Sequence, residues 1–149
     1  PISYLGSLAD AGFRRFVGHV EKMPDQAAFV AKGESLGEVG LGIDADTGVE
    51  AIKVSLEDLD CVLVMTVKAG FSGQSFMEQQ MDKVRQLVAK TSIPIEVDGG
   101  VNESTIKVGC VAGARRFVAT SFLFGAEMPS IQYRSLRTCV RPFEAMGRD

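Results

Sequence analysis

The run Cys61–Val67, CVLVMTV, is apolar at every position except Thr66 and opens directly into a glycine-containing loop. A strand with one wet face alternates apolar and polar residues, whereas an unbroken valine-rich run is what a strand covered on both faces requires. Such strands belong to parallel sheets packed under helices. Farther along, Ile95–Val101 reads IEVDGGV, a second short strand that ends on an acid, Asp98, followed by Gly99 and Gly100. Ligands of parallel α/β proteins bind at the carboxyl ends of strands. These two strand ends therefore offer small, adaptable backbone suited to a phosphate, with one carboxylate beside it.

The remainder of the chain alternates helix and strand. Ile2–Ala11 reads as an amphipathic helix stopped by Gly12, Arg15–Val20 as a strand, Asp25–Leu36 as a helix and Val39–Ile43 as a strand. Thr47 with Glu50 makes a capping box that predicts a helix to about Leu59, with Asp44 and Asp46 helping to initiate it. Ser75 with Glu78 makes another, predicting a helix to Lys90. Asn102 caps a helix through Ala112 that Gly113 ends, Arg116–Ala119 is a strand, and a last helix spans Ser130–Ala145. Five strands each followed by a helical segment imply a parallel sheet with right-handed crossovers. No GxGxxG follows the first strand and no GxxxxGK[ST] occurs, which argues against an open nucleotide-binding sheet. A complete (β/α)8 barrel needs at least about 200 residues. The 149 residues hold five units, so residues 1–149 are expected to form one partial TIM-type (β/α) barrel domain.

Charge narrows the partners. The 19 acids and 16 bases are scattered without runs, giving a net charge of -3, so neither nucleic acid nor an anionic membrane is an expected partner. No segment has the length of a transmembrane helix, and the first residues lack a basic-then-apolar signal pattern. Cys61, Cys110 and Cys139 are odd in number and lack CxxC spacing, so packed thiols in a reducing cytoplasm are expected rather than disulfides or a zinc knot.

Several motifs then agree. VLVMTVKAGFSGQSF, IEVDGGV and AGARRFVATSFLF resemble the sixth, seventh and eighth strand-loop segments of the ribulose-phosphate 3-epimerase family, a phosphosugar-binding TIM barrel. AGFRRFVGHVE and GEVGLGIDADTGVEAI are similar to its fourth and fifth units, in the right order and spacing from Leu5 to about Val140. The resemblance implies that Asp98 is the acid/base aspartate and also a ligand of a divalent metal (Zn, Fe, Mn or Co). It implies that Met65 packs near the reacting carbons. It further implies that Ala69–Gln74 (AGFSGQ, with Gly70, Phe71, Ser72 and Gly73) closes over the substrate phosphate. Gly99, Gly100, Thr120 and Ser121 would hold that same phosphate. Three departures stand out: Ala69 replaces a proline, Ser72 and Thr120 each replace a glycine, and the family's first three strands are absent.

That last departure bears on chemistry. Epimerising a carbon beside a ketone removes a proton from one face of an enediolate and returns one to the other, so two acid/base groups must flank it. Asp98 is one; the residues upstream are expected to supply neither a second nor a set of metal ligands. Asp44 and Asp46 resemble a metal loop, but the loop is too short for an EF-hand. His19, the only histidine, falls at a strand end and is more simply a structural hydrogen bonder than a pocket group. The arginine pairs Arg14/Arg15 and Arg115/Arg116 would sit at the amino-terminal rim. The implied activity is an isomerase step of carbohydrate metabolism, interconverting D-ribulose 5-phosphate and D-xylulose 5-phosphate. This chain alone is expected to be inactive and to bind metal weakly. The alternative is a non-catalytic phosphosugar-binding or oligomerising module. Exposed sheet edges favour a homo-oligomer in either case.

Overall fold

The computed structural model describes residues 1–68, 70 and 73–144. Five strands, β1 (Arg15–His19), β2 (Glu38–Ile43), β3 (Cys61–Met65), β4 (Ile95–Asp98) and β5 (Arg116–Val118), pair in parallel in the order β1-β2-β3-β4-β5. Spatial order that follows chain order, without reversal, is barrel-like progression and leaves no topological switch point of the doubly wound kind. Helices intervene: α1 (Leu5–Asp10), α2 (Gln26–Glu34), α3 (Met81–Val88), α4 (Thr105–Ala112), α5 (Thr120–Phe124) and α6 (Pro129–Glu144).

All five residues of β3 are buried, as its composition demands. Alternation assigns them to two faces. Val62 and Val64, with Val39, Leu41, Ile43, Ile95 and Val97, meet Met81, Val84, Leu87 and Ile106 of the helices in the main core. Leu63, Met65 and Val67 pack with Val17 on the opposite face. Each fully buried leucine or methionine side chain contributes roughly 1.5–3 kcal/mol, so the layer between sheet and helices carries most of the stability.

The second face is concave. Arg15 Nη1 on β1 reaches Glu96 Oε2 on β4 at 2.9 Å. In a flat sheet these strands would lie about 14 Å apart, so the sheet must curl strongly for the two side chains to meet. Arg15 also pairs with Glu38 at 3.2 Å, and Arg116 lies 3.6 Å from Glu38. The four charges sit around the buried Cys61, whose thiol is pushed up chiefly by burial. The arginines are thus at the strand entry end, as expected, but Arg15 and Arg116 point into the arc.

Two expected helices are different. From Thr47 to Leu59 there is no α-helix, only single turns at Val49–Ala51 and Leu56–Asp58. Gly48 and the β-branched Val49, Ile52 and Val54 make a poor helix, and Thr47 bonds Glu21 instead of capping. Asp44 and Asp46 therefore initiate nothing. The Ser75/Glu78 box is likewise not formed: the Met77 amide bonds Thr66 O at 2.8 Å, a single 3₁₀ turn follows at Glu78–Gln80, and the helix begins at Met81. The remaining boundaries agree within one to three residues; Ala145 lies outside the described residues. Helix α5 is an addition to the expected elements.

Candidate functional site

Strand β3 delivers its chain into the site through Thr66. This side chain is fully buried, and its hydroxyl donates to Gly99 O at 2.6 Å and Asp98 O at 3.0 Å. Its amide donates to Asp98 O at 2.8 Å. One threonine thereby holds the end of β4 against the end of β3. The turn after β4 can only be glycine. Gly99 has φ +122° and a Cβ there would come within 2.5 Å of Val67 Cγ2. Gly100 has φ +62° and a Cβ would meet the Phe76 amide nitrogen at 2.7 Å. Beyond the turn, Asn102 Oδ1 accepts from the Ser104 and Thr105 amides, while Thr105 Oγ1 donates to Gly100 O at 2.9 Å.

These strand ends surround a cavity of about 250 Å³. Of the residues singled out in the sequence, Met65, Gly70, Gly73, Asp98, Gly99, Gly100, Thr120 and Ser121 all line it. Phe71 and Ser72 lie outside the described residues. Lys68, on the same wall, adds an exposed cation 3.7 Å from Asp46. The cavity therefore combines backbone from two glycine turns, two hydroxyls, one ammonium and one carboxylate. Burial pushes the Asp98 carboxyl above its ordinary range, and the nearby His19 partly opposes this. A carboxyl so placed suits proton transfer better than a fully solvated one. Thr66 and Lys68 escaped the sequence reading; the isolated polar residue in an apolar run was the available signal for Thr66.

His19 does not line this cavity. It ends β1 on the concave face, its Nδ1 2.8 Å from Asp44 Oδ1 and 3.6 Å from Glu21 Oε2. These three form the one convergent group of three His/Cys/Asp/Glu donors among the described residues. Asp98 is outside that group and is the one carboxylate lining the cavity among the described residues.

The profile of the Ribulose-phosphate 3 epimerase family matches residues 1–124. The cytoplasmic isoform of ribulose-phosphate 3-epimerase from Oryza sativa subsp. japonica is 40% identical over 149 residues, covering 94% of this chain and 64% of the rice protein. The Schizosaccharomyces pombe ribulose-phosphate 3-epimerase is 37% identical, covering 94% of this chain and 62% of its own. The chain thus spans under two thirds of the relatives it matches. In fold it resembles KGPDC from Streptococcus mutans, with TM-score 0.74 at 16% identity over 95% of this chain and 66% of that one. Native KDPGal superposes with TM-score 0.67 at 16% identity, over 97% of this chain and 66% of that one. With a family profile over most of its length and relatives at this identity, the chain belongs to the Ribulose-phosphate 3 epimerase family.

Proposed function

We propose that these 149 residues carry the phosphate end and one proton-transfer group of a ribulose-5-phosphate 3-epimerase site, and that they bind phosphorylated pentose without turning it over by themselves. The observation that carries this is the convergence of Asp98, both glycine turns and the Thr120/Ser121 hydroxyls on one cavity. A phosphate needs N–H and O–H donors with no side chains in the way, which glycine backbone supplies. In the full reaction Asp98 takes the C3 proton as base, the electrons pass to the carbonyl to form an enediolate, and reprotonation on the far face gives the epimer. That last step requires an acid opposite Asp98. Among the described residues lining the cavity, Lys68 is the only charged side chain besides Asp98, and no second carboxyl or imidazole is present.

The test is thermal. Ribulose 5-phosphate at ten times its Kd stabilises by about 1.4 kcal/mol, which raises Tm by roughly 3–6 °C. Inorganic phosphate should give a smaller shift at one site, and turnover to xylulose 5-phosphate should stay at background. No shift at millimolar sugar phosphate removes the binding reading; robust turnover abolished by Asp98→Asn removes the claim of inactivity.

Association is favoured by a separate observation. A cleft beside the β1 edge is lined by Tyr4, Leu8, Phe13, Phe16, Val17 and Phe29, and Tyr4 and Phe13 are 68% and 56% exposed. An uncovered parallel edge flanked by aromatics calls for a covering surface. A second copy is the proposed cover for this stretch studied alone, and a monomer by sedimentation at micromolar concentration would refute it.

A further inference from the structure

Three side chains stand apart from the phosphate cavity and from the roles that family resemblance implies. His19 ends β1, Glu21 follows in the turn after it, and Asp44 leaves β2 just past Ile43. The parallel register that sets His19 opposite Gly42 brings them together across the intervening helix. Gly42 leaves room for the His19 ring, since a Cβ there would stand 3.2 Å from it and the ring would have to shift by a few tenths of an ångström.

We propose that His19, Glu21 and Asp44 form a binding site for a zinc-class divalent cation, distinct from the Asp98 cavity and independent of the phosphosugar reading. Imidazole nitrogen and carboxylate oxygen are both donors that such a cation accepts. Two donors each about 2.1 Å from a tetrahedral centre stand about 3.4 Å apart. His19 Nδ1 lies 2.8 Å from Asp44 Oδ1 and 3.6 Å from Glu21 Oε2, with all donor atoms within 4.8 Å. Shifts of well under about 1 Å for the two His19 pairs, and somewhat more between the two carboxylates, would bring all three to one centre.

The support around the site is that of a held constellation. Glu21 uses its other oxygen, Oε1, to accept from the Asp44 amide at 2.8 Å, and it bonds the Thr47 side chain. Lys83 Nζ donates to Asp44 O at 3.1 Å and Ala45 O at 2.7 Å, pinning the backbone from which Asp44 projects. Asp44 Oδ1 is sealed from solvent and faces His19 Nδ1 at 2.8 Å, in an approach that is not a hydrogen bond of good geometry. A buried carboxylate oxygen that no well-directed donor reaches is costly unless a positive charge meets it. The side chains of His19, Glu21 and Asp44 are 28%, 21% and 25% exposed, leaving an entry path and room for water at the remaining coordination position. The competing arrangement is an imidazolium ion-paired to two carboxylates, with no metal.

Titrating Co(II) and Zn(II) into the metal-stripped chain separates these. The expected result is one equivalent bound, with visible cobalt bands of a low-coordinate N/O site and no near-ultraviolet thiolate band, which excludes the three cysteines as ligands. His19→Ala and the isosteric Asp44→Asn should each weaken binding at least about tenfold, and Thr47→Val, which frees Glu21, about tenfold. Asp98→Asn should leave affinity unchanged. Circular dichroism without metal checks that each variant is folded, and Asp44→Asn, which preserves shape, decides the matter if His19→Ala is not. No binding at millimolar metal leaves the imidazolium pair and overturns the proposal, as does binding that survives Asp44→Asn.

Discussion

Thr66→Val would remove one hydroxyl from the most deeply buried polar side chain among the described residues while preserving its shape. The Asp98 carbonyl keeps its bond from the Thr66 amide at 2.8 Å, so its loss is minor. The Gly99 carbonyl loses a 2.6 Å partner. A net hydrogen bond is worth about 0.5–1.5 kcal/mol, and leaving a buried acceptor unmade costs about 1–3 kcal/mol. Gly99 is only half-buried, so the lower part of that range applies and about 1–2.5 kcal/mol is expected. In a chain of this size that lowers Tm by roughly 3–8 °C. Urea unfolding should show a lower midpoint with unchanged slope, since no extra surface is exposed. Thr66→Ser retains the hydroxyl and loses a buried methyl worth about 0.8 kcal/mol. The two variants can therefore be similarly stable, yet the phosphate-induced rise in Tm should persist in serine and shrink in valine. Valine as stable as threonine, or an equal ligand response in both, would refute the view that this hydroxyl fixes the glycine turn.

Other perturbations probe other parts. Gly100→Ala places a methyl against the Phe76 backbone at φ +62°, and a loss of about 2 kcal/mol or more is expected; an alanine variant of wild-type stability would contradict the turn geometry. Arg15→Ala leaves Glu96, 8% exposed, without its 2.9 Å partner. Because Arg15 is itself 41% exposed, solvent screening reduces the expected cost to about 1–2 kcal/mol. Adding Glu96→Gln should recover part of it, and simple additivity would count against the pair. Asp98 is raised in the folded state by burial, so its contribution to stability is fully present below the unfolded carboxyl range and is lost as pH rises through the folded value. Asp98→Asn should thus be more stable than wild type at neutral pH and gain nothing in acid. A pH-independent offset in Tm would show that burial does not act on this carboxyl.

What the sequence disclosed follows from the range of the forces involved. The all-apolar β3 and the Gly113 stop after α4 (φ +102°) are local signals, readable in short windows. The Thr47 box misled because the threonine had a better partner in Glu21, distant in sequence. The Ser75 box misled for a similar reason: the Met77 amide is committed to Thr66 in the segment leaving the neighbouring strand. Asp98 and the glycine turns could be singled out because each is adjacent to its strand. The approach of His19 to Asp44 could not, since it depends on a parallel register between strands distant in sequence. Nor could the meeting of Arg15 with Glu96, which spans 81 positions.

That last contact has a mechanical meaning. A ring of strands holds its bend by joining its ends, but the five strands here run from β1 to β5 as an open arc. The guanidinium–carboxylate link spans the concave face from the first strand to the fourth like a bowstring. Being electrostatic and partly wet, the string slackens in concentrated salt, by about as much as Debye screening allows.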